Sequence, residues 1–142
     1  MDISTEVLQD TLIVRLQGEL DLHTASMFRD EVDNILSRRR RITKVMLSLN
    51  GVTFIDSSGL GALLGRYKKI MQRGGRIVIA EMSPGVKKLL ELSGVNKIIP
   101  LFDTEWEALK KLGLSAISLE QLKSNQEENR RMYTGGLFNG DK

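Results

Sequence analysis

Two short apolar runs, VMLSL at 45–49 and RIVIA at 76–80, bracket one strongly amphipathic segment. That arrangement limits the fold more than any other feature of the chain. Runs this short between turn signals read as buried strands. Between them Leu60, Leu63, Leu64, Tyr67, Ile70 and Met71 recur at helical spacing, which predicts a helix with one apolar face. Gly74 and Gly75 supply the stop. Strand, helix and strand in that order form a βαβ crossover, so the sheet is at least partly parallel.

The remaining segments extend the same pattern. Residues 3–8 and the alternating stretch at 12–17 predict a hairpin about Gln9 and Asp10. Met27 or Phe28, Val32 and Leu36 predict a helix over 23–37. Ser83 followed by Pro84 opens a helix that runs through Leu92 and ends at Gly94. A weak strand is expected at 98–101. Asp103 or Thr104 then caps a last helix with Trp106, Leu109 and Leu112 facing inward. The expected architecture is an α/β domain over 1–112: a mixed four- to five-stranded sheet, an N-terminal hairpin at its edge, and about four helices mostly on one face. Composition changes after Leu112, where 113–142 carry four bases and four acids. This extension is expected to be partly helical, over 117–132, or flexible.

Composition excludes several chemistries. The 142 residues suit one compact domain. Having no Cys removes disulfides, thiolate metal sites and Cys nucleophiles. The single histidine, His23, removes any multi-His metal site within one chain, so no metal or cofactor is expected. MDISTEVLQD lacks the basic and apolar regions of a signal peptide, and no apolar run approaches a membrane span. The cytoplasm is the expected location. Net charge is only +3, but its distribution is uneven: residues 1–33 hold 2 bases and 8 acids, and 34–88 hold 12 bases and 2 acids.

The stretch Phe54-Ile55-Asp56-Ser57-Ser58-Gly59 lies between a buried strand and the best helix, where open α/β sheets carry function. Asp56, Ser57 and Ser58 all suit an N-cap, and capping alone accounts for one of them. A second hydroxyl, and Gly59 and Gly61 in the first turn, exceed what a cap needs. Small residues there leave the backbone open to a close approach from outside the chain. A helix N-terminus also receives phosphate well, so Ser57 or Ser58 can be phosphorylated without loss of the helix.

Residues 55–99, IDSSGLGALLGRYKKIMQRGGRIVIAEMSPGVKKLLELSGVNKII, together with GELDLHTA at 18–25, resemble a STAS domain of the anti-anti-sigma-factor type. The likeness is greatest to the antagonists of the sporulation sigma-F switch and covers roughly 5–112. It implies an anti-sigma factor antagonist that is not itself an enzyme. Its partners would be an anti-sigma factor that is also a serine kinase, and a serine phosphatase, with no direct contact to nucleic acid or membrane. The resemblance places the phosphoacceptor at Ser58, with acidic neighbours at Asp21 and Asp56, Ser57 as a structural cap, and Gly59 as the motif glycine. It also implies partner contacts on the helix that follows, at Arg66 and Lys69 on a face expected to be exposed, and more weakly at Met82 and Ser83.

Other readings use the same residues. Gly59, Gly61 and Gly65, with Glu81 further on, imitate a dinucleotide fingerprint, but the strand is expected to end near Leu49, too far from Gly59 for a tight turn. A hydrolase would need Ser57 or Ser58 with His23 and Asp21, and the G-x-S-x-G elbow is absent. A STAS subunit of another signalling complex is a third reading. The run Arg38–Arg41 reads as cations complementing a helix C-terminus, with no aromatic platform for nucleic acid.

Overall fold

The computed structural model describes residues 1–115, 119–124 and 127–128. Its order is β1 (Asp2–Leu8), β2 (Thr11–Leu20), α1 (Leu22–Arg38), β3 (Lys44–Ile55), α2 (Ser57–Gln72), β4 (Arg76–Ala80), α3 (Pro84–Leu92), a 3-10 turn (Val95–Lys97), β5 (Leu101–Phe102) and α4 (Glu105–Lys111). The sheet has five strands in the order β1-β2-β3-β4-β5. β1 pairs antiparallel with β2, and the later pairs are all parallel. The expected mixed sheet with an edge hairpin is therefore present.

Both faces of the central strands are apolar, so both are covered. Leu12, Val14 and Leu16, with Val45, Leu47, Leu49, Ile77 and Ile79, pack on one side against Phe28, Val32, Leu63, Ile70, Val86 and Leu90 of α1, α2 and α3. Ile13, Met46, Val78 and Ala80 face the other side, beneath Ala108 and Leu109 of α4. Leu112, Leu114, Leu119 and Leu122 complete that second cluster, and residues 119–124 are helical. Three helices thus share one face. Arg15 anchors α4 across the other, through ion pairs of 3.0 Å to Glu105 and to Glu6.

Three local expectations differ from the structure. β3 does not stop at Leu49 but continues to Ile55. Asn50 and Gly51, which look like a turn in sequence, sit where the β2–β3 register shifts, and a second shift follows between Gly18 and Glu19. Such bulges insert extra residues without ending the strand, and they re-aim the side chains beyond them. The last strand is Leu101–Phe102, because 95–97 form the 3-10 turn that buries Val95 and Ile99. Trp106 is 41% exposed, while Ala108, Leu109 and Leu112 take the inward positions. The helix expected over 117–132 and the tail beyond it lie partly outside the described residues.

Candidate functional site

Leu20 and Ile55 are register partners at the ends of β2 and β3, and each is followed by an aspartate that starts a helix. α1 and α2 therefore begin side by side at one edge of the sheet. The Asp21 carboxylate accepts from the His23 and Thr24 amides, both at 3.0 Å, and the Thr24 hydroxyl accepts from the Asp21 amide at 2.9 Å. This reciprocal capping box satisfies amides that no helical turn reaches. The Thr24 amide and hydroxyl, with the His23 amide, hold the Asp21 carboxyl below the usual carboxylate range. The stabilisation this gives is complete above the unfolded carboxylate value, near pH 4, and disappears as pH falls through the lower folded one. The urea midpoint difference between wild type and Asp21→Asn should accordingly be constant above about pH 5 and shrink below pH 4. A difference that instead grew in acid would contradict this cap.

Asp56 caps two helices at once. Its Oδ1 accepts from the Gly59 amide at 2.9 Å, within α2. Its Oδ2 accepts from the Leu22 amide of α1 at 3.1 Å. Its own amide donates to the Leu20 carbonyl at 3.2 Å. One side chain thereby sets the relative position of both helix starts. Asp56→Ala should cost about 2 kcal/mol, since a cap is worth roughly 1 kcal/mol and a second amide loses its acceptor. Chemical denaturation measures this, and a cost under about 0.5 kcal/mol would show that water replaces both bonds.

With Asp56 as the cap, the serines are released from that task. Ser57 is exposed and Ser58 half-buried in the first turn of α2. Neither hydroxyl makes a hydrogen bond among the described residues. Their amides belong to the first turn, which has no intrahelical acceptors. The expectation that Ser57 is the cap is thus replaced by Asp56. Gly59 also has a different role from the one expected. A Cβ there would lie 2.3 Å from the Leu20 carbonyl oxygen, so the close approach comes from the chain's own β2. Of the two first-turn glycines, Gly61 is the one that opens on free space.

Two exposed apolar side chains border this edge. Leu22, whose amide Asp56 holds, is 75% exposed, and Phe54, two residues before Asp56, is 50% exposed. Neither belongs to an apolar stripe, so periodicity could not single them out. The available signal was their position next to the two caps.

The STAS domain family model matches residues 2–108 of the chain. The protein belongs to the STAS domain family. An anti-sigma F factor antagonist of Paenibacillus polymyxa is 46% identical over 112 residues, which are 79% of this chain and 95% of that one. The anti-sigma factor antagonist SpoIIAA in its unphosphorylated form superposes with a TM-score of 0.70 at 28% identity, covering 80% of this chain and 99% of that chain. The phosphorylated form of the Bacillus cell fate determinant SpoIIAA gives 0.62 at 28% identity, over 78% and 98%.

Within this STAS fold the other expected site residues are dispersed. Arg66 is not on an exposed face: it is 5% exposed, in the seam between α1 and α2. Its Nε lies 3.0 Å from Asp33 Oδ1, ion-pair range, yet the N–H points off that line. Nε and Nη1 find no hydrogen-bond acceptor among the described residues. Burial pushes the Arg66 pKa down, and the Asp33 charge partly restores it. Lys69 is exposed and meets the other Asp33 oxygen at 3.0 Å. Asp33 thus joins the two helices through two cations. Ser83 caps α3, accepting from the Val86 amide at 3.3 Å. Ser48 is the last β3 residue paired with β4, opposite Ala80, while β3 runs on to Ile55. Met82 and Ser83 consequently lie lower along the sheet than Ser58. No helix among the described residues is long and apolar enough to cross a membrane, and no group of three or more His, Asp or Glu there fits a metal ion.

Proposed function

We propose that this chain is an anti-sigma factor antagonist, a binding module whose docking face is the edge where α1 and α2 begin and whose switch is Ser58. The observation that carries the reading is the arrangement at Asp56. One carboxylate caps both helices and leaves a half-exposed serine hydroxyl uncommitted in the first turn of α2. Unmodified, the edge offers Leu22 and Phe54 as apolar contacts around a polar centre, which suits a protein partner. The partner is an anti-sigma factor, as the named relatives support, and it is also a serine kinase, as the resemblance implies. The chain serves as its substrate and not as a catalyst.

In the transfer step the Ser58 Oγ attacks the γ-phosphorus of ATP held by the kinase. The bond from that phosphorus to the bridging oxygen breaks, ADP leaves, and the hydroxyl proton passes to a base of the kinase. A serine phosphatase returns Ser58 to the hydroxyl form by hydrolysis. Phosphorylation adds about −1.5 to −2 charges at neutral pH. The first-turn amides and helix dipole favour that charge, while Asp21 and Asp56 oppose it. The domain therefore keeps its fold, and the partner surface meets new bulk and a dianion.

Mass spectrometry after incubation with kinase and ATP should place the phosphate on Ser58 and leave Ser57 unmodified. Phosphate uptake by Ser58→Ala at the wild-type rate would move the switch elsewhere. Lys69 stays a partner contact in this proposal because it is exposed. Arg66 acts through the α1–α2 seam, and Met82 and Ser83 contribute only at the margin of the face.

A further inference from the structure

The run Arg38–Arg41 has no part in the switch, and the fold concentrates more arginine around it. α2 ends at Gln72, so its C-terminal end lies roughly 21 Å from Ser58. There Arg73, just past α2, donates from Nη1 to the carbonyls of Arg39 at 3.3 Å and Ile42 at 3.0 Å, and from Nη2 to the carbonyl of Leu36. Arg38 Nε donates to the Asn34 carbonyl at 3.4 Å. These two cations already complement the C-terminus of α1. Arg39, Arg40 and Arg41 are in excess of that need. They are exposed, as is Arg76, and among the described residues none of them has an ion pair. On the hairpin, Asp10 is taken by Lys44 at 3.4 Å, and Glu6, which shares a cleft with Arg38 and Arg39, is taken by Arg15 at 3.0 Å.

We propose that this arginine pole is a binding site for a compact polyphosphate anion. Holding several unpaired guanidinium groups together is electrostatically unfavourable, and an anion relieves it. Arg73 makes the arrangement rigid by fixing the carbonyls of the loop that carries Arg39, Arg40 and Arg41. Arg73 lines a cleft of about 380 Å³ together with Ser37, Arg40 and Thr43. A cleft of that size takes a small ligand. Arginine forks match phosphate oxygens in pairs, which favours phosphate over a diffuse anion. The cleft lining carries no apolar side chain to anchor a protein partner or a lipid tail. The site is independent of the Ser58 switch.

Sodium tripolyphosphate is the probe, titrated calorimetrically into the full chain at about 0.1 M salt, where the Debye length is about 10 Å. One saturable site is expected. Arg40→Gln with Arg41→Gln should weaken it at least roughly tenfold, while Lys97→Gln with Lys110→Gln, which removes equal charge elsewhere, should leave it unchanged. All four substituted residues are exposed, and circular dichroism confirms folding of both variants. Absence of saturable binding, or equal weakening by the two variants, overturns the site. Retention on a DNA duplex or an anionic vesicle without saturable tripolyphosphate binding also overturns it, because the pole would then read an extended surface.

Discussion

Phosphorylated on Ser58, the protein is expected to bind its anti-sigma partner more than a hundredfold more weakly than the unmodified form. The phosphate would stand in the first turn of α2, two residues after the Asp56 cap, at the edge of the sheet that also exposes Leu22 and Phe54. A partner that buries this edge must desolvate a dianion and accommodate its volume. A loss of roughly 3 kcal/mol corresponds to more than a hundredfold in affinity. The helix start itself gains from the negative charge, so backbone rearrangement is not required. Calorimetry on fully phosphorylated protein, with Ser58→Ala as the form that cannot be modified, reads the effect. A change below tenfold, or loss of binding by unmodified Ser58→Ala, would remove the switch. Chemical-shift changes should stay near 20–23 and 54–61, and changes spread through the sheet would indicate refolding.

Gly59→Ala should be among the most damaging single-methyl additions in the molecule. The new Cβ would meet the Leu20 carbonyl oxygen at 2.3 Å, and Ile55 Cγ2 and Leu20 Cγ at 2.9 Å. That carbonyl cannot swing away cheaply, because it accepts the Asp56 amide and belongs to the Leu20–Ile55 register. Either α2 lifts from the sheet or the double cap at Asp56 breaks. The cost is about 3 kcal/mol, or roughly 10 °C in Tm for a domain of this size. Gly61→Ala meets nothing within 4 Å and should gain about 0.5–1 kcal/mol through helix propensity. Thermal unfolding of the pair is decisive, since two glycines of one turn are expected to differ in sign. Equal melting temperatures would mean that α2 sits further from β2 than described. A stabilised Gly61→Ala that binds partner poorly would show that the partner approaches the backbone at this turn.

Asp56 also shows how far local pattern reaches. The aspartate, the two serines and the following helix were all legible, because capping residues and helical periodicity act within a few positions. That one carboxylate serves two helices was not legible, since Leu22 is distant in sequence and arrives only through strand pairing. β3 gives a similar lesson. Asn50 and Gly51 carry turn chemistry, yet pairing with β2 absorbs them as bulges and carries the strand on to Ile55. This also alters the case against a dinucleotide site. Distance from strand to glycine no longer opposes it, whereas Gly59 packed on the Leu20 carbonyl does. Arg66 illustrates the limit for helices, where position on the wheel depends on which neighbours close over it. α1 and Asp33 close over Arg66 and leave Lys69 in solvent.

By itself the sequence determined the order of strands and helices, the mixed sheet, and the capping stretch at 56–59 that opens α2. These follow from spacing between near neighbours, which sets local backbone preference and the faces that must be buried. Tertiary structure alone decided which groups meet. It placed Asp21 beside Asp56, turned Leu22 and Phe54 outward, buried Arg66, and gathered the arginines about Arg73. Each of these depends on the register and packing of segments far apart in the chain, and no local preference encodes that.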